Sequence, residues 1–429
     1  MTSAQPAFLF RHRDFGRFWL AMLFVNLAVQ IEGVTLGWQV YALARQSLGI
    51  DRSAFLVGML GLCQFLPLFV LSLYAGTTAD RHDRRRIVML SLAVEVLCVL
   101  ALVVSTRHPS PALIPIFGIA AVFGGARAFL GPAGSAVLPM LVPREEMPRA
   151  ISLKSLTWQG TVIIGPWLGG LLCAVAPDVA YEVTAVLYAL GITTLTRIRT
   201  PTQPQRRPGG RWAQTREGLA YVRGNKIVLG AISLDLFAVL LGGATALLPA
   251  FATDILHVGA GGFGLLRSGP AIGAAAMALA LSRWPLRHRA GLRMFLAVAG
   301  FGLATLVFAL SKSIALSVAA LAFLGAADMI SMYVRQTLVQ IVTPDHMRGR
   351  VAAVSGLFIS GSNELGEFES GVAARLLGPV GAAVFGGIGT LVVTGLWARL
   401  FPALLHADRL EAPEEAAHAG PPSAIAAVS

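Results

Sequence analysis

Nine residues, Asn363 to Gly371, hold three carboxylates and an amide in an otherwise apolar stretch of chain. Glu364, Glu367 and Glu369 could carry protons or pair with cations, and Asn363 could hydrogen-bond a polar solute. Val351 to Phe358 precede them and Val372 to Leu377 follow. Charged groups inside such a hydrophobic run are costly unless paired or wetted, so they are candidates for function. On a helix Asn363, Glu367 and Ser370 share one face, with Glu364 beside it and Glu369 nearly opposite. Glu364 and Glu367 are therefore the expected cavity or interface groups. Pairing with a helix that bears Arg267 or Arg335 is the purely structural alternative.

Other polar residues lie in similar surroundings. Glu32 stands between Gln30 and Gly33, with Asn26 and Gln39 nearby; Asn26, Gln30 and Gly33 fall on one helical face and Glu32 flanks it. Burial raises a carboxyl toward neutral pH, which suits a proton carrier, and Asp235 has a similar claim. Arg127, Asp328 and Arg335 are cations and an anion in the middle of apolar runs. Trp158, Gln159 and Trp167 could stack on a ring-bearing ligand or pack on neighbouring helices.

The elements that must position these groups are membrane helices. The chain is 55% hydrophobic and 13% charged, with mean hydropathy +0.70, where a soluble protein carries about 25% charged residues. Apolar runs long enough to cross a bilayer recur along its length. Twelve spans are expected, near 18–43, 53–76, 86–106, 112–140, 151–175, 179–198, 227–252, 263–282, 292–311, 314–340, 351–376 and 380–401. The fold class is an all-α membrane protein. Cys63, Cys98 and Cys173 fall in separate apolar runs without CxxC or Cys/His spacing, so no disulfide framework or zinc site is indicated. The first apolar run is too long and too polar for a cleaved signal peptide.

Of the 34 basic residues, 26 fall in loops on one side and five on the other. By the positive-inside rule both termini lie in the cytoplasm. The same asymmetry accounts for the net charge of +12 without any nucleic acid. The expected organisation is a cytoplasmic N-terminus (1–17), a six-helix bundle (18–198), a cytoplasmic linker (199–226), a second six-helix bundle (227–401) and a disordered cytoplasmic tail (402–429). The linker begins with a Pro- and Arg-rich stretch. It continues as Trp212 to Arg223, spaced like a short amphipathic helix lying on the membrane surface.

The two bundles are related by an internal repeat. Gly124-Gly125-Ala126-Arg127 corresponds to Gly325-Ala326-Ala327-Asp328. Gly160, Gly165 and Gly170 correspond to Gly361, Gly366 and Gly371, and the loops after Pro143 and Pro344 align at nearly the same offset. Parallel repeats of this kind are a transporter architecture with the substrate site between the halves. The repeat places Arg127 and Asp328 at equivalent positions with opposite sign. They could pair across the halves, or contact substrate or couple its movement to protonation; Arg335, two turns from Asp328, is an alternative partner. The recurring glycines, with Pro166, Gly169 and Gly170 in the first half, suit close helix approach.

At Gly76-Thr77-Thr78-Ala79-Asp80-Arg81-His82-Asp83-Arg84-Arg85-Arg86 the sequence resembles the signature loop between helices 2 and 3 of the major facilitator superfamily, G-x-L-A-D-R-x-G-R-[KR]-[KR]. Thr78 replaces the Leu and Asp83 replaces the second Gly. Arg127 to Gly131 resembles the family's R-x-x-Q-G, with Leu130 in place of Gln. Gly160 to Gly170 resembles the motif of its antiporter and exporter branches. Arg13 to Trp19, Asp328 to Gln336 and Asn363 to Gly371 are similar to the enterobactin-exporter-like group. The resemblance covers about residues 13–401. It implies two pseudo-symmetric six-helix bundles, cavity-lining helices 1, 4, 7 and 10, and a peripheral helix 3 that makes Glu95 a weaker candidate. It also implies a gate at Gly76, Asp80, Arg81, Arg84 and Arg85, where Asp80 and an arginine lock the halves in one state; a merely solvated basic loop is the alternative.

The expected function is secondary active export of a small amphipathic molecule, siderophore- or drug-like, across the inner membrane by alternating access. Proton antiport is the expected energy source. No cofactor is expected, and the chain has no Walker motif. The expected partners are the bilayer and a small-molecule substrate, with the protein acting as a monomer. An importer or lysolipid flippase of the same superfamily is the nearest alternative. A membrane enzyme or a non-transporting receptor is remote, because the eight histidines form no nucleophile–base or metal constellation.

Overall fold

The computed structural model describes residues 6–109, 111–203, 211–286 and 288–407, without the side chains of 6–8, 73, 211–215, 345, 346, 353, 357, 360 and Glu364. The tail from 408 and the Pro- and Arg-rich stretch 204–210 lie outside the described residues. In hydrocarbon every backbone N–H and C=O must be satisfied internally, and a helix does this within one segment. Accordingly α1 (Arg13–Arg45), α2 (Ile50–Ala79), α3 (Arg84–Arg107), α4 (Leu113–Val137), α5 (Met147–Val175) and α6 (Pro177–Thr196) follow one another with short connections. After a linker helix (Arg211–Gly224) come α7 (Lys226–Gly242), α8 (Gly259–Arg283), α9 (Ala290–Leu310) and α10 (Ile314–Val342). Short turns extend α7 to Ile255, ending in a π-helical turn Phe251–Ile255.

Among the described residues, eleven helices are long and apolar enough to cross a membrane. The last, Asp345–Leu400, has 56 residues. Straight, it would be about 84 Å long, far more than a hydrocarbon core of about 30 Å. It breaks at Gly378, whose φ of 73° and ψ of 164° are not helical, immediately before Pro379. A positive φ suits glycine, and the following proline interrupts the helical hydrogen-bond ladder. The two pieces, 345–377 and 379–400, are α11 and α12, which completes the twelve-span all-α fold.

The two sets of six helices pack alike. Contacts of α1 with α5 and α6, α2 with α4, and α3 with α4 and α6 recur six helices later. The crossing between α2 and α4 closes at Gly124, where a Cβ would overlap the carbonyl oxygen of Gln64. The crossing between α8 and α10 closes at Gly325, where a Cβ would overlap that of Pro270. The repeated glycines thus occupy equivalent crossings.

The linker helix packs on the second set of helices. Val222 is buried in one cluster with Val351 and Val354, and Leu219 packs against that cluster. Tyr221 donates to the carbonyl of Val342 at 2.9 Å, and Glu217 pairs with Arg350 at 2.5 Å. Leu219 and Val222 of the expected apolar stripe thus pack on the ends of α10 and α11.

Candidate functional site

The end of the bundle where α1 begins is called the near face, and the end at Arg45 the far face. Between the two sets of helices the far half is tightly closed. Gly170 of α5 meets Gly264 of α8, and a Cβ at Gly170 would lie 2.7 Å from the Gly264 Cα and the Ala260 carbonyl. Gly371 of α11 meets Gly58 of α2, where a Cβ would lie 2.9 Å from the Gly58 Cα. Gly170 and Gly371 are repeat mates, so one motif makes both crossings. Gly165 and Gly169 lean on Gln30, Ile31 and Val34 of α1, and Gly366 on Val239 and Leu240 of α7. Pro166, carried with them in the motif, offers its carbonyl oxygen to the face of Gly264. Gly160 and Gly361 face open space.

A polar latch joins α1 to the turn after α7 at the far face. Asp254, in the π-helical turn after α7, accepts from the Tyr41 hydroxyl and pairs with Arg45 at 3.0 Å. Tyr41 and Arg45 are one turn apart on α1, so one carboxylate grips one face of that helix. None of these three residues stands out in the sequence. Each is unremarkable at the end of a span, and only the fold brings them together.

Nearer the middle lies a central cavity of about 510 Å³, lined by Gln30, Gln159, Arg267, Asp328, Asn363 and Glu367 among others. Arg267 and Glu367 approach to 3.5 Å. Asp328 has no ion-pair partner among the described residues. A second cavity of about 860 Å³ opens toward the near face between α1, α4 and α5. Asn26 and Arg127 line it, and Gln159 borders both cavities.

Arg127 and Asp328 do not pair with one another. Arg127 reaches back into its own bundle, where Nη2 donates to Glu32 Oε1 at 2.9 Å and Nη1 to Gln64 Oε1 at 3.2 Å. The Tyr188 hydroxyl donates to the other Glu32 oxygen at 2.7 Å. In the second half, Arg335 of α10 pairs with Asp235 of α7, both buried. The equivalence is therefore Arg127–Glu32 with Arg335–Asp235: fourth helix to first helix, within each half. The sequence offset pointed to Asp328 because the local glycine pattern aligns there. The second arginine simply stands two turns further along its helix.

Apart from Arg127, the members of these pairs stand behind the cavity walls. Glu32 is fully buried, and it, Asp235 and Arg335 line neither cavity. They were expected toward the cavity; here each lone carboxyl finds a guanidinium within its own half, because leaving it unpaired costs more. Glu95 of α3, set aside as peripheral, is completely buried 3.9 Å from Arg127 Nε, and neither of its oxygens accepts a hydrogen bond. Two carboxyls thus share one guanidinium. Glu95 was visible as a lone acid in an apolar run, but helix position outweighed that signal.

The loop between α2 and α3 is anchored to its own bundle. Gly76 is buried, while Asp80 caps the end of α2 and is exposed, as is Arg81. Arg84 donates to the Ala136 carbonyl at 2.9 Å, and Arg85 to that of Ile198. Asp83, which replaces a family glycine, caps α3 by accepting from the Arg85 and Arg86 amides. It also accepts from the Thr202 hydroxyl at 2.5 Å, tying down the start of the linker. Burial alone would raise the Asp83 carboxyl, but the hydrogen bonds from Thr202, Arg86 and Arg85 hold it below its ordinary value.

Twelve spans in two like-packed halves, closed at one end around cavities reaching the middle, define a membrane transporter of the major facilitator type. The family model described as transmembrane secretion effector matches residues 4–423, and the chain belongs to that family. It is 28% identical to an enterobactin exporter of Salmonella choleraesuis (strain SC-B67) over 394 residues, covering 90% of this chain and 91% of that protein. Among solved structures it superposes on a POT family transporter with TM-score 0.71 at 11% identity, covering 91% of this chain and 96% of the other. A bacterial homologue of the human lysosomal transporter Spinster, inward-facing and unoccupied, gives TM-score 0.65 at 14% identity, covering 94% and 97%.

Proposed function

We propose that the chain exports a small amphipathic molecule, siderophore- or drug-like, across the inner membrane by alternating access, driven by proton antiport. The observation that carries this reading is the buried set Glu32, Glu95 and Arg127: two carboxyls and one guanidinium in contact, with the guanidinium on the wall of the 860 Å³ cavity. Two carboxylates beside one arginine leave an excess negative charge in a buried site, and taking up one proton relieves it. A ligand that draws Arg127 toward the cavity weakens its hold on the acids and changes their proton affinity. Coupling of that kind is what antiport needs.

The excess of basic residues in the near-face loops supports cytoplasmic termini, which makes the closed far face periplasmic and the chain inward-facing. One member of that loop set, Lys154, lies two turns into α5 on a cavity wall rather than in the loop; the bias survives without it. The central cavity groups Gln30, Arg267, Asp328, Asn363 and Glu367 suit a polar portion of the cargo. Glu364 is carried as a further candidate, its side chain outside those described. Asp80, Arg81, Arg84 and Arg85 form the gate of the opposite state. Export as the direction follows the similarity to proteins named enterobactin exporters.

The test is flux in proteoliposomes with the protein in known orientation. Enterobactin and a panel of amphipathic dyes are loaded on the near-face side, with and without an imposed pH gradient. Gradient-dependent efflux toward the far face is expected. Uptake in the reverse direction favours an importer, movement of lysolipid a flippase, and flux indifferent to pH removes the proton from the scheme.

A further inference from the structure

The 860 Å³ cavity has a chemical asymmetry. Its charged lining residues are Arg127 and Lys154, both cationic, and no carboxylate lines it. Arg127 is committed to Glu32 and Gln64. Lys154 is half-buried and has no hydrogen-bond or ion-pair partner among the described residues. Its ammonium projects from the second turn of α5 beside apolar wall from Met22, Leu138, Met147 and Ile151. Trp158 lies one helical turn from Lys154 on the same face and lines the same cavity.

An ammonium held against apolar wall without a counter-charge is costly, and the cost vanishes when an anion is brought to it. We propose that Lys154 is the anion-recognition point of this cavity, so that the cargo is an amphipathic anion. Its carboxylate, phenolate or phosphate meets the Lys154 ammonium, and its apolar or aromatic body lies along Trp158 and Ile151. This deepens the export reading and rests on it for the cargo to be moved, but the binding it describes is independent of transport direction. The central cavity, whose lining carries Asp328 and Glu367, lacks this one-sided charge. The anion therefore binds near α5 and not between the halves.

Equilibrium binding to the full chain in phosphatidylcholine nanodiscs separates the two readings. The probes are 1-pyrenebutyrate, its neutral methyl ester, and a pyrenebutyl trimethylammonium cation, with blank discs subtracted for lipid partitioning. The unmodified protein should prefer the anion to the ester by about tenfold, or about 1.4 kcal/mol. Lys154→Arg should keep the preference. Lys154→Met should lose it while still binding the ester, which also shows that the variant is folded. Lys154→Glu should turn the preference toward the cation. Equal affinity for anion and ester in the unmodified protein, or a preference unchanged in Lys154→Met, overturns the proposal. Repeating the measurement in phosphatidylglycerol discs distinguishes the source. Competition by that lipid supports the anion site and assigns it to a lipid headgroup; absence of competition supports it and assigns it to soluble cargo. Failure of the export reading would appear in flux and leave these affinities untouched.

Discussion

Arg127 holds Glu32 across 95 positions of sequence, with Nη2 2.9 Å from Oε1. It thereby joins α4 to α1 behind the wall of a cavity that its own side chain helps to line. Arg335 and Asp235 repeat the arrangement in the second half. The two pairs differ in their surroundings. Near the first stands a second acid, Glu95, whose oxygens accept no hydrogen bond.

Breaking the first pair from either side should give different results. Arg127→Met strands two buried acids and should destabilise the protein by about 3–5 kcal/mol, read as a lower Tm in detergent. Glu32→Gln keeps the shape and the Tyr188 and Arg127 contacts, so the fold should survive. Gradient-driven flux should fall at least about tenfold. A Glu32→Gln protein with normal flux and normal pH dependence would remove Glu32 from the coupling scheme.

Glu95→Gln separates proton storage from structure. Because neither Glu95 oxygen accepts a hydrogen bond, the neutral amide should leave the Tm nearly unchanged. The pH dependence of flux should flatten. If the profile keeps its shape, Glu95 is packing and nothing more.

The far-face latch can be weakened without touching the cavities. Asp254→Asn removes the charge that holds Arg45 and weakens the bond from Tyr41. Spin labels placed at the far ends of α1 and α7 should report a larger population of long distances than in the unmodified protein. Unchanged distance distributions would show that the glycine crossings alone keep this end closed.

Those crossings predict their own variants. Gly170→Ala would put a methyl 2.7 Å from the Ala260 carbonyl oxygen, and Gly371→Ala one 2.9 Å from the Gly58 Cα. Backbone cannot yield as a flexible side chain does, so α5 and α8, or α11 and α2, must separate. Labelling of a cysteine placed at the far end of the central cavity should accelerate in both variants. Gly160→Ala, which faces open space, is the matched control and should label at the normal rate.

Asp83 makes a pH-dependent contribution of predictable sign. Its carboxyl is held below the ordinary value, so its stabilisation is present above the ordinary carboxylate range and is lost as pH falls through it. Asp83→Ala should cost about 1 kcal/mol as a lost N-cap and release Thr202. Hydrogen exchange at Arg85 and Arg86 should then be faster at neutral pH, and the difference from the unmodified protein should shrink below about pH 4.

Much of the fold is legible in the chain because lipid is an undemanding reader. A run of apolar residues of the right length must be a helix there, so the twelve spans, and the break before Pro379, could be placed from hydropathy and punctuation alone. The glycines of the repeat were legible too. Only small residues permit such crossings, and their offset exposed the two halves. The candidate site was legible as a set of residue types: Glu32, Arg127, Asp235, Asp328, Arg335 and Glu367 are conspicuous wherever they stand.

Which of them meet was a matter for the tertiary structure. Repeat offset suggested Arg127 with Asp328; packing chose Glu32 for one and left the other beside the central cavity. Helix position suggested that Glu95 was peripheral; the rotation of α3 turned it to Arg127. Lys154 counted with the loop charges although the expected span 151–175 already held it, and only the fold set it on a cavity wall. The physical reason is common to all three. Hydropathy depends on how many apolar residues follow one another, which is a local property of sequence. Pairing depends on the depth and rotation of separate helices, which are set by how their side chains and glycine surfaces fit when the bundle closes.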